Sequence, residues 1–276
     1  MLNMDFIGIG SGKSGSTWFF DNLVKHPEIC ASNPKELNYF SDLYERGADW
    51  YASNFSGCSG DLLKGEFSVT YMYNPEAARR IHRDCPDAKL IAIVRDPITR
   101  TYSDYWHSMR KGDIPAGFTF EQYIADQSRL RFGDYAEALA PFFELFPNRL
   151  QVIVLEEFSS DPVEGFRRVF RFLGLRDTEF IPPDVNTRVN VGRNYRYLLL
   201  EKILVRSYRF LARGGHNRLA ELLKRTGVPE LLRRFNSKQD ALPPMPETCR
   251  ITLKQYFDPR NAALARQAGC DLSRWQ

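Results

Sequence analysis

The chain has 276 residues, a net charge of +4, 43% hydrophobic and 26% charged residues, enough for one sizeable α/β core, with or without an inserted cap, which is expected in preference to two independent domains. No apolar run reaches the ~18 residues of a membrane span, the longest candidate, Tyr197 to Leu211, being broken by Glu201, Lys202, Arg206 and Arg209. The N-terminus enters a strand without the regions of a signal peptide, and Cys30, Cys58, Cys85, Cys249 and Cys270 lack metal-ligand spacing, so reduced thiols without a chemical role and a cytoplasmic location are expected.

Met4 to Ile9 predicts a first strand, and Ser16 to His26 a helix closed by Pro27, with Ser14 to Ser16 as its hydroxyl-rich cap. Lys64 to Val69 follows as a short strand and Pro75 to Arg83 as an amphipathic helix. Ala88 to Val94 is a continuous apolar strand, the pattern of a sheet centre covered on both faces. Ile98 to Lys111, Phe120 to Ser128 and Tyr135 to Phe146 predict helices, Leu150 to Leu155 a fourth strand, and Pro162 to Leu173 a helix ended by Gly174. This alternation implies an α/β fold, a parallel sheet with helices on both faces.

Beyond Arg176 an irregular stretch leads to two basic amphipathic helices, Tyr195 to Arg213 and Leu219 to Phe235, then a Pro-rich connector and a last helix from Glu247 toward Tyr256. The chain is expected to be a single domain with residues 188–246 as a C-terminal helical cap or lid. Arg188 to Arg234 holds twelve Lys or Arg against Glu201, Glu221 and Glu230, leaving the rest net negative. Either an anionic partner or a solvated helix face accounts for such a cluster.

Chemistry is concentrated after the first strand, in Gly8-Ile-Gly-Ser-Gly-Lys13-Ser14-Gly15-Ser16-Thr17-Trp18. Glycines let the backbone approach a phosphate, a helix N-terminus adds partial positive charge, and Lys13 neutralises an oxygen between two charged groups. A Walker A loop needs Gly five residues before its Gly-Lys pair, where this chain has Ile7. Lys13-Ser-Gly-Ser-Thr-Trp18 instead resembles the Lys-Ser-Gly-Thr-Thr-Trp loop of sulfotransferases that use 3′-phosphoadenosine 5′-phosphosulfate (PAPS), and Arg95-Asp-Pro-Ile-Thr-Arg100-Thr-Tyr-Ser103 resembles their 3′-phosphate element.

Weaker likenesses run along most of the chain and are closer to the glycan and bacterial types than to the cytosolic aryl type. Pro34-Lys35-Glu36-Leu-Asn38-Tyr39-Phe40 is similar to Lys-Glu-x-His-Phe-Phe, with Asn38 in place of His. Gly65-Glu66-Phe67-Ser68-Val-Thr-Tyr71 is similar to Glu-Lys-Ser/Thr-Pro-x-Tyr, with Phe67 in place of Lys. An imidazole and a substrate-side charge are therefore missing. The closing Asp271-Leu-Ser-Arg-Trp275 and Phe172-Leu-Gly-Leu175 match as structural elements.

The resemblance implies a P-loop-like fold and transfer of a sulfuryl group from PAPS, releasing 3′-phosphoadenosine 5′-phosphate (PAP), to a hydroxyl or amine. No metal is required. Lys13 would stabilise the leaving phosphate, and the amides and hydroxyls of Ser14, Gly15, Ser16 and Thr17 would hold the 5′-phosphate. Trp18 would lie near adenine or in the core, while Arg95, Ser103 and the loop residue Arg193, with Arg188 as competitor, would bind the 3′-phosphate. Glu36 is the expected general base, with Glu66 next and His26, His82, His107 and His216 behind it. Tyr39, Phe40, Trp50, Tyr51, Phe67, Tyr71 and Tyr73 line an apolar pocket or the core. Expected partners are PAPS and an acceptor that is a small molecule, glycan or carrier-bound intermediate, together with an acidic carrier protein, and neither nucleic acid nor a transmembrane span. The rival reading is a nucleotide or small-molecule kinase using ATP and Mg²⁺, with Asp96 as its acid.

Overall fold

In a computed structural model of the protein, residues 2–115, 117–187, 194–195, 237–238 and 242–275 are described. The first strand, β1 (Phe6–Gly10), leads into α1 (Ser16–Leu23), followed by β2 (Ile29–Ala31), α2 (Gly47–Ser53), β3 (Leu63–Phe67), α3 (Pro75–Asp84) and β4 (Lys89–Val94). After these come α4 (Pro97–Lys111), α5 (Phe120–Ala125), α6 (Gln127–Leu130), α7 (Tyr135–Leu145), β5 (Leu150–Val154), α8 (Leu155–Phe158) and α9 (Pro162–Leu173). Asn194–Tyr195 (β6) pairs antiparallel with Ser237–Lys238 (β7), and Glu247–Ala268 forms α10.

Strands β1 to β5 form one parallel sheet in the order β2-β3-β1-β4-β5. The chain leaves β1 toward the β2 edge, returns through β3, and then passes to β4 on the other side of β1. That reversal opens a crevice beyond the C-terminal ends of β1 and β4, where open α/β sheets bind ligands. Alternate residues of the central strands serve the two faces: Ile7, Ile9, Leu90, Ala92 and Val94 enter one core with α3, α7 and α10, while Phe6, Ile91 and Ile93 enter the other with α1 and α9. The register sets Phe6 beside Gly65 and Gly8 beside Phe67. A Cβ on Gly8 would come within 2.0 Å of the Phe67 ring, and one on Gly65 within 2.3 Å of the Phe6 ring, so each ring lies across a glycine of the neighbouring strand.

Helix starts follow their capping chemistry. Asn74, Thr119, Asp134 and Asp161 each accept a backbone N–H in the first turn of α3, α5, α7 and α9, and Thr119 with Gln122 completes a capping box. The expected hydroxyl cap of α1 is absent. Gly15 is its N-cap, in a left-handed conformation, with no side-chain hydrogen bond, so the N-terminal amides of α1 are left for another acceptor. The last helix continues twelve residues past its expected end, through Pro259. Leu253, Phe257 and Leu264 are buried along it, and Arg260 Nε donates to Asp134 at 2.7 Å, which offsets the lost backbone bond.

The thiol expectation is corrected. Cys30 and Cys58 are joined in a disulfide with their Cα atoms 5.6 Å apart, because pairing of Ile29–Ala31 with β3 brings Cys30 beside the segment that leads into that strand. Cys85 and Cys249 are buried free thiols and Cys270 is half-buried. The chain folds as two compact units, one of residues 1–105, 118–189 and 245–276, the other of residues 106–117 and 190–244. Nearly all of the expected cap, 188–246, with its basic helices, lies outside the described residues.

Candidate active site

The β1–α1 turn is built by backbone and hydroxyls together. Ser14 donates to Ser11 Oγ at 2.5 Å, and Ser11 Oγ donates to the Ile93 carbonyl at 2.9 Å, which fastens the turn to β4. Both serines are fully buried. The Ser14 hydroxyl, expected to face phosphate, therefore points into the sheet, and Ser14 offers its amide instead. Lys13 has φ 68° and Gly15 φ 76°, so the chain turns left-handed on either side of Ser14 and directs successive amides to one side.

Two arginines brace this turn from the β4–α4 side. Arg95 Nη1 donates to the Lys13 carbonyl and Arg100 Nε to the Gly12 carbonyl, each at 3.3 Å, and Tyr135 Oη donates to the Arg95 carbonyl at 3.0 Å. Arg100, only 3% exposed, is paired with Asp104 at 3.3 Å and keeps one buried guanidinium nitrogen without a partner among the described residues. Ser103 is half-buried on α4, two turns beyond Arg95. Asp96 is occupied otherwise: it accepts from the Ile98 and Thr99 amides and caps α4, while its own amide donates to Glu156. Burial raises its carboxyl above the ordinary range against those hydrogen bonds.

Across the turn stands the segment after β2. Glu36 has φ 63° and Asn38 φ 51°, and the Glu36 carboxylate is 42% exposed. Between Glu36 and α1 lies Lys35. Its Nζ is 3.6 Å from Glu36 Oε1, 3.5 Å from Ser16 Oγ and 3.4 Å from Thr17 Oγ1, over the rings of Phe20 and Phe67. Burial pushes the Lys35 ammonium below its ordinary range, while Glu36 and Asp21 pull it back up. Phe67, at the position of the family's lysine, is fully buried in the α1–α9 core, and Lys35 is the cation that reaches over it.

The structure thus brings together Lys13, Ser16, Thr17, Lys35, Glu36 and Arg95. Trp18, half-buried, packs against Phe158 and Phe166 at 5.8 and 5.7 Å between ring centroids. Glu66 is fully buried and bonded to three hydroxyls, away from an acceptor's approach. His26 is a core residue held by the Asp177 carbonyl and the Glu28 amide, and His82 packs on Phe146. His216, Arg188 and Arg193 lie outside the described residues. Of the aromatic residues expected as a pocket wall, Tyr39, Phe40, Tyr51, Phe67 and Tyr71 are buried in the core. The closing motif is structural: Trp275 Nε1 donates to Glu156 Oε2 at 2.9 Å and Arg274 to the Glu156 carbonyl. Lys35 and Arg100 are the two residues to which motif matching assigned no role, although both stand inside the matched motifs.

Known proteins carry the same architecture. A solved sulfotransferase from Alicyclobacillus acidocaldarius superposes with a TM-score of 0.71 over 100% of this chain and 99% of its own at 24% identity, which shows the fold. Membrane-associated sulfotransferase kil1 of Dictyostelium discoideum is 36% identical over 131 residues, 45% of this chain and 28% of that protein. Human heparan sulfate glucosamine 3-O-sulfotransferase 6 is 33% identical over 176 residues, 61% of this chain and 51% of its own. The chain spans about half or less of the length of these two relatives. The family model described as the sulfotransferase domain matches residues 3–190, which span both the β1–α1 turn and the Glu36 segment, and the chain belongs to that family.

Proposed function

We propose that this protein transfers a sulfuryl group from PAPS to a hydroxyl or amine of an acceptor. The observation that carries this reading is the bridge at Lys35, whose ammonium lies within 3.6 Å of both the Glu36 carboxylate and the hydroxyls of the first turn of α1. In this reading donor and acceptor meet beside that bridge. The amides of residues 14–17 hold the 5′-phosphate at the uncapped start of α1, and Arg95 with Ser103 holds the 3′-phosphate.

Glu36 takes the proton of the acceptor as its oxygen or nitrogen bonds to sulfur, and the bond from sulfur to the bridging phosphate oxygen breaks in line. Lys13 and the loop amides stabilise the charge that gathers on the departing phosphate of PAP. The acceptor is a small molecule, a glycan or a carrier-bound intermediate, and the basic segment Arg188 to Arg234 attracts an anionic substrate or an acidic carrier protein. Asn38 and Phe67 stand where the glycan-type pattern has His and Lys, so glycan specificity is not carried over to this chain.

Thermal shift tests the donor. PAP at a hundred times its dissociation constant adds about 2.7 kcal/mol by mass action, and it is expected to raise the melting temperature without added metal while ATP with Mg²⁺ does not. Preference for ATP with Mg²⁺, or loss of the PAP shift on chelation, would replace this reading with a kinase.

A further inference from the structure

Glu66 has no part in the steps above, yet it is the most fully engaged carboxyl of the sheet's C-terminal edge. It stands near the end of β3, fully buried. Ser68 Oγ donates to its Oε2 at 2.6 Å, and Tyr71 Oη and Tyr51 Oη donate to its Oε1 at 2.5 and 3.2 Å. In its ionised form the carboxylate only accepts, and all three hydroxyl protons then turn toward it. The lone pairs of Ser68 and Tyr71 are thereby directed outward, and each receives a backbone amide: Asn38 N–H at 3.0 Å on Ser68 Oγ, and Tyr39 N–H at 2.9 Å on Tyr71 Oη. The Glu36 amide donates to the Phe67 carbonyl at 3.1 Å. Thr70 Oγ1 adds a bond to the Asn38 side chain at 2.9 Å.

Residues 36–39 therefore hang from residues 66–71 by a two-layer relay, carboxylate to hydroxyl to amide. The suspended segment holds two non-glycine residues, Glu36 and Asn38, at positive φ. Side chains disfavour that conformation, and it persists where surrounding bonds over-determine it. An ordinary satisfied core acid would be bonded to its own neighbours and end there. This one ends on the amides of Asn38 and Tyr39, two and three residues beyond Glu36.

We propose that Glu66 is a positioning residue for sulfuryl transfer, whose carboxylate, through the hydroxyls of Ser68 and Tyr71, fixes the left-handed turn that presents the Glu36 carboxylate to the donor loop. The inference rests on Glu36 being the general base. Glu66 touches neither donor nor acceptor, so its loss acts on turnover and not on nucleotide binding.

A double-mutant cycle on kcat tests this at pH 8, where the buried Glu66 carboxyl is ionised, with PAPS as donor and the acceptor the enzyme turns over. Glu66→Gln puts an amide donor against hydroxyls that already donate, and Tyr71→Phe removes one relay outright. Each is expected to lower kcat about tenfold in the wild-type background and less than twofold in the Glu36→Gln background, since residues acting through a shared group do not add. KM for PAPS and the thermal shift by PAP stay within about twofold, which also reports folding. Ser68→Ala, the smallest change to the relay, follows the same scheme should the other two fail to fold. Unchanged kcat in the single variants, or the same fold-loss in both backgrounds, would reduce the network to a stabilising core cluster and overturn the proposal. Normal turnover of Glu36→Gln alone would instead remove the base assignment, and this inference with it.

Discussion

The donor loop and the base segment reach the same crevice by opposite means. Residues 11–18 are held by a short-range turn whose glycines and hydroxyls sit within eight positions, with outside support from the Ile93 carbonyl on β4, from Arg95 just after it and from Arg100 on α4. Residues 36–41 make local bonds to the Glu36 and Asn38 carbonyls, but the amides of residues 36, 38 and 39 and the side chains of Asn38 and Ser41 are bonded by Phe67, Ser68, Thr70 and Tyr71, some thirty residues away. A motif carries its own geometry in the first case. In the second, the sequence names the reactive residue while a distant strand decides where it points.

Breaking the donor side should give the largest effect. Lys13→Ala removes the cation expected at the leaving oxygen, and loss of one such stabilising group costs about 10²–10³ in kcat. Removal of the base in Glu36→Gln costs about 10² and leaves PAP binding intact, so the two variants should separate in nucleotide binding more than in turnover. Rates of both variants with PAP titrations check the split. Equal PAP affinity in Lys13→Ala and wild type would place the loop lysine away from the phosphates.

The same contrast explains what the sequence discloses. Strands β1, β3, β4 and β5 and most helices follow from apolar runs and caps, and the crevice follows from strand order once β1 carries the loop. Three-residue β2 is not legible because its edge pairing with β3 is non-local, and with it the proximity of Cys30 and Cys58 stays hidden. The extent of α10 is hidden because Pro259 reads as a stop, whereas burial of Phe257 and Leu264 and the ion pair of Arg260 with Asp134 carry the helix through it. Glu66 is legible only as a spare acid. Nothing in the local pattern shows that its hydroxyl partners face the amides of residues 38 and 39.

The disulfide offers a second way to loosen the base segment while sparing the donor loop. Cys30 and Cys58 are 28 residues apart, and Lys35 and Glu36 lie in the loop they close. Closure of a loop of that size is worth about 3.6 kcal/mol, which corresponds to roughly 7–14 °C in melting temperature for a chain of this length. Reduction, or Cys30→Ser with Cys58→Ser, should lower the melting temperature by that amount and leave the increment produced by PAP unchanged. A thiol count on unreduced, denatured protein should find Cys85, Cys249 and Cys270 alone. Five thiols would return the chain to the fully reduced state expected from the sequence.

The smallest effect lies in the pH dependence of stability, and it isolates the anchor of the base segment from both loops. Burial raises the Glu66 carboxyl from its ordinary value near 4.5 to about 7, against hydrogen bonds from Ser68, Tyr71, Tyr51 and the Leu37 backbone that favour ionisation. A carboxyl with a raised folded pKa binds more protons folded than unfolded between those two values. Its contribution is therefore fully present below pH 4.5 and is lost as pH rises through 7. Over pH 5 to 7 the shift amounts to about 2 kcal/mol of stability lost by the wild-type protein. Glu66→Gln cannot ionise, so its urea midpoints should fall less over the same interval, and the gap between the two proteins should narrow or reverse toward pH 7. Parallel curves from pH 5 to 7 would mean that Glu66 is already ionised throughout. The relay of hydroxyl protons toward it would then be complete at every working pH, and Glu66 would hold the Glu36 turn with no proton to lose.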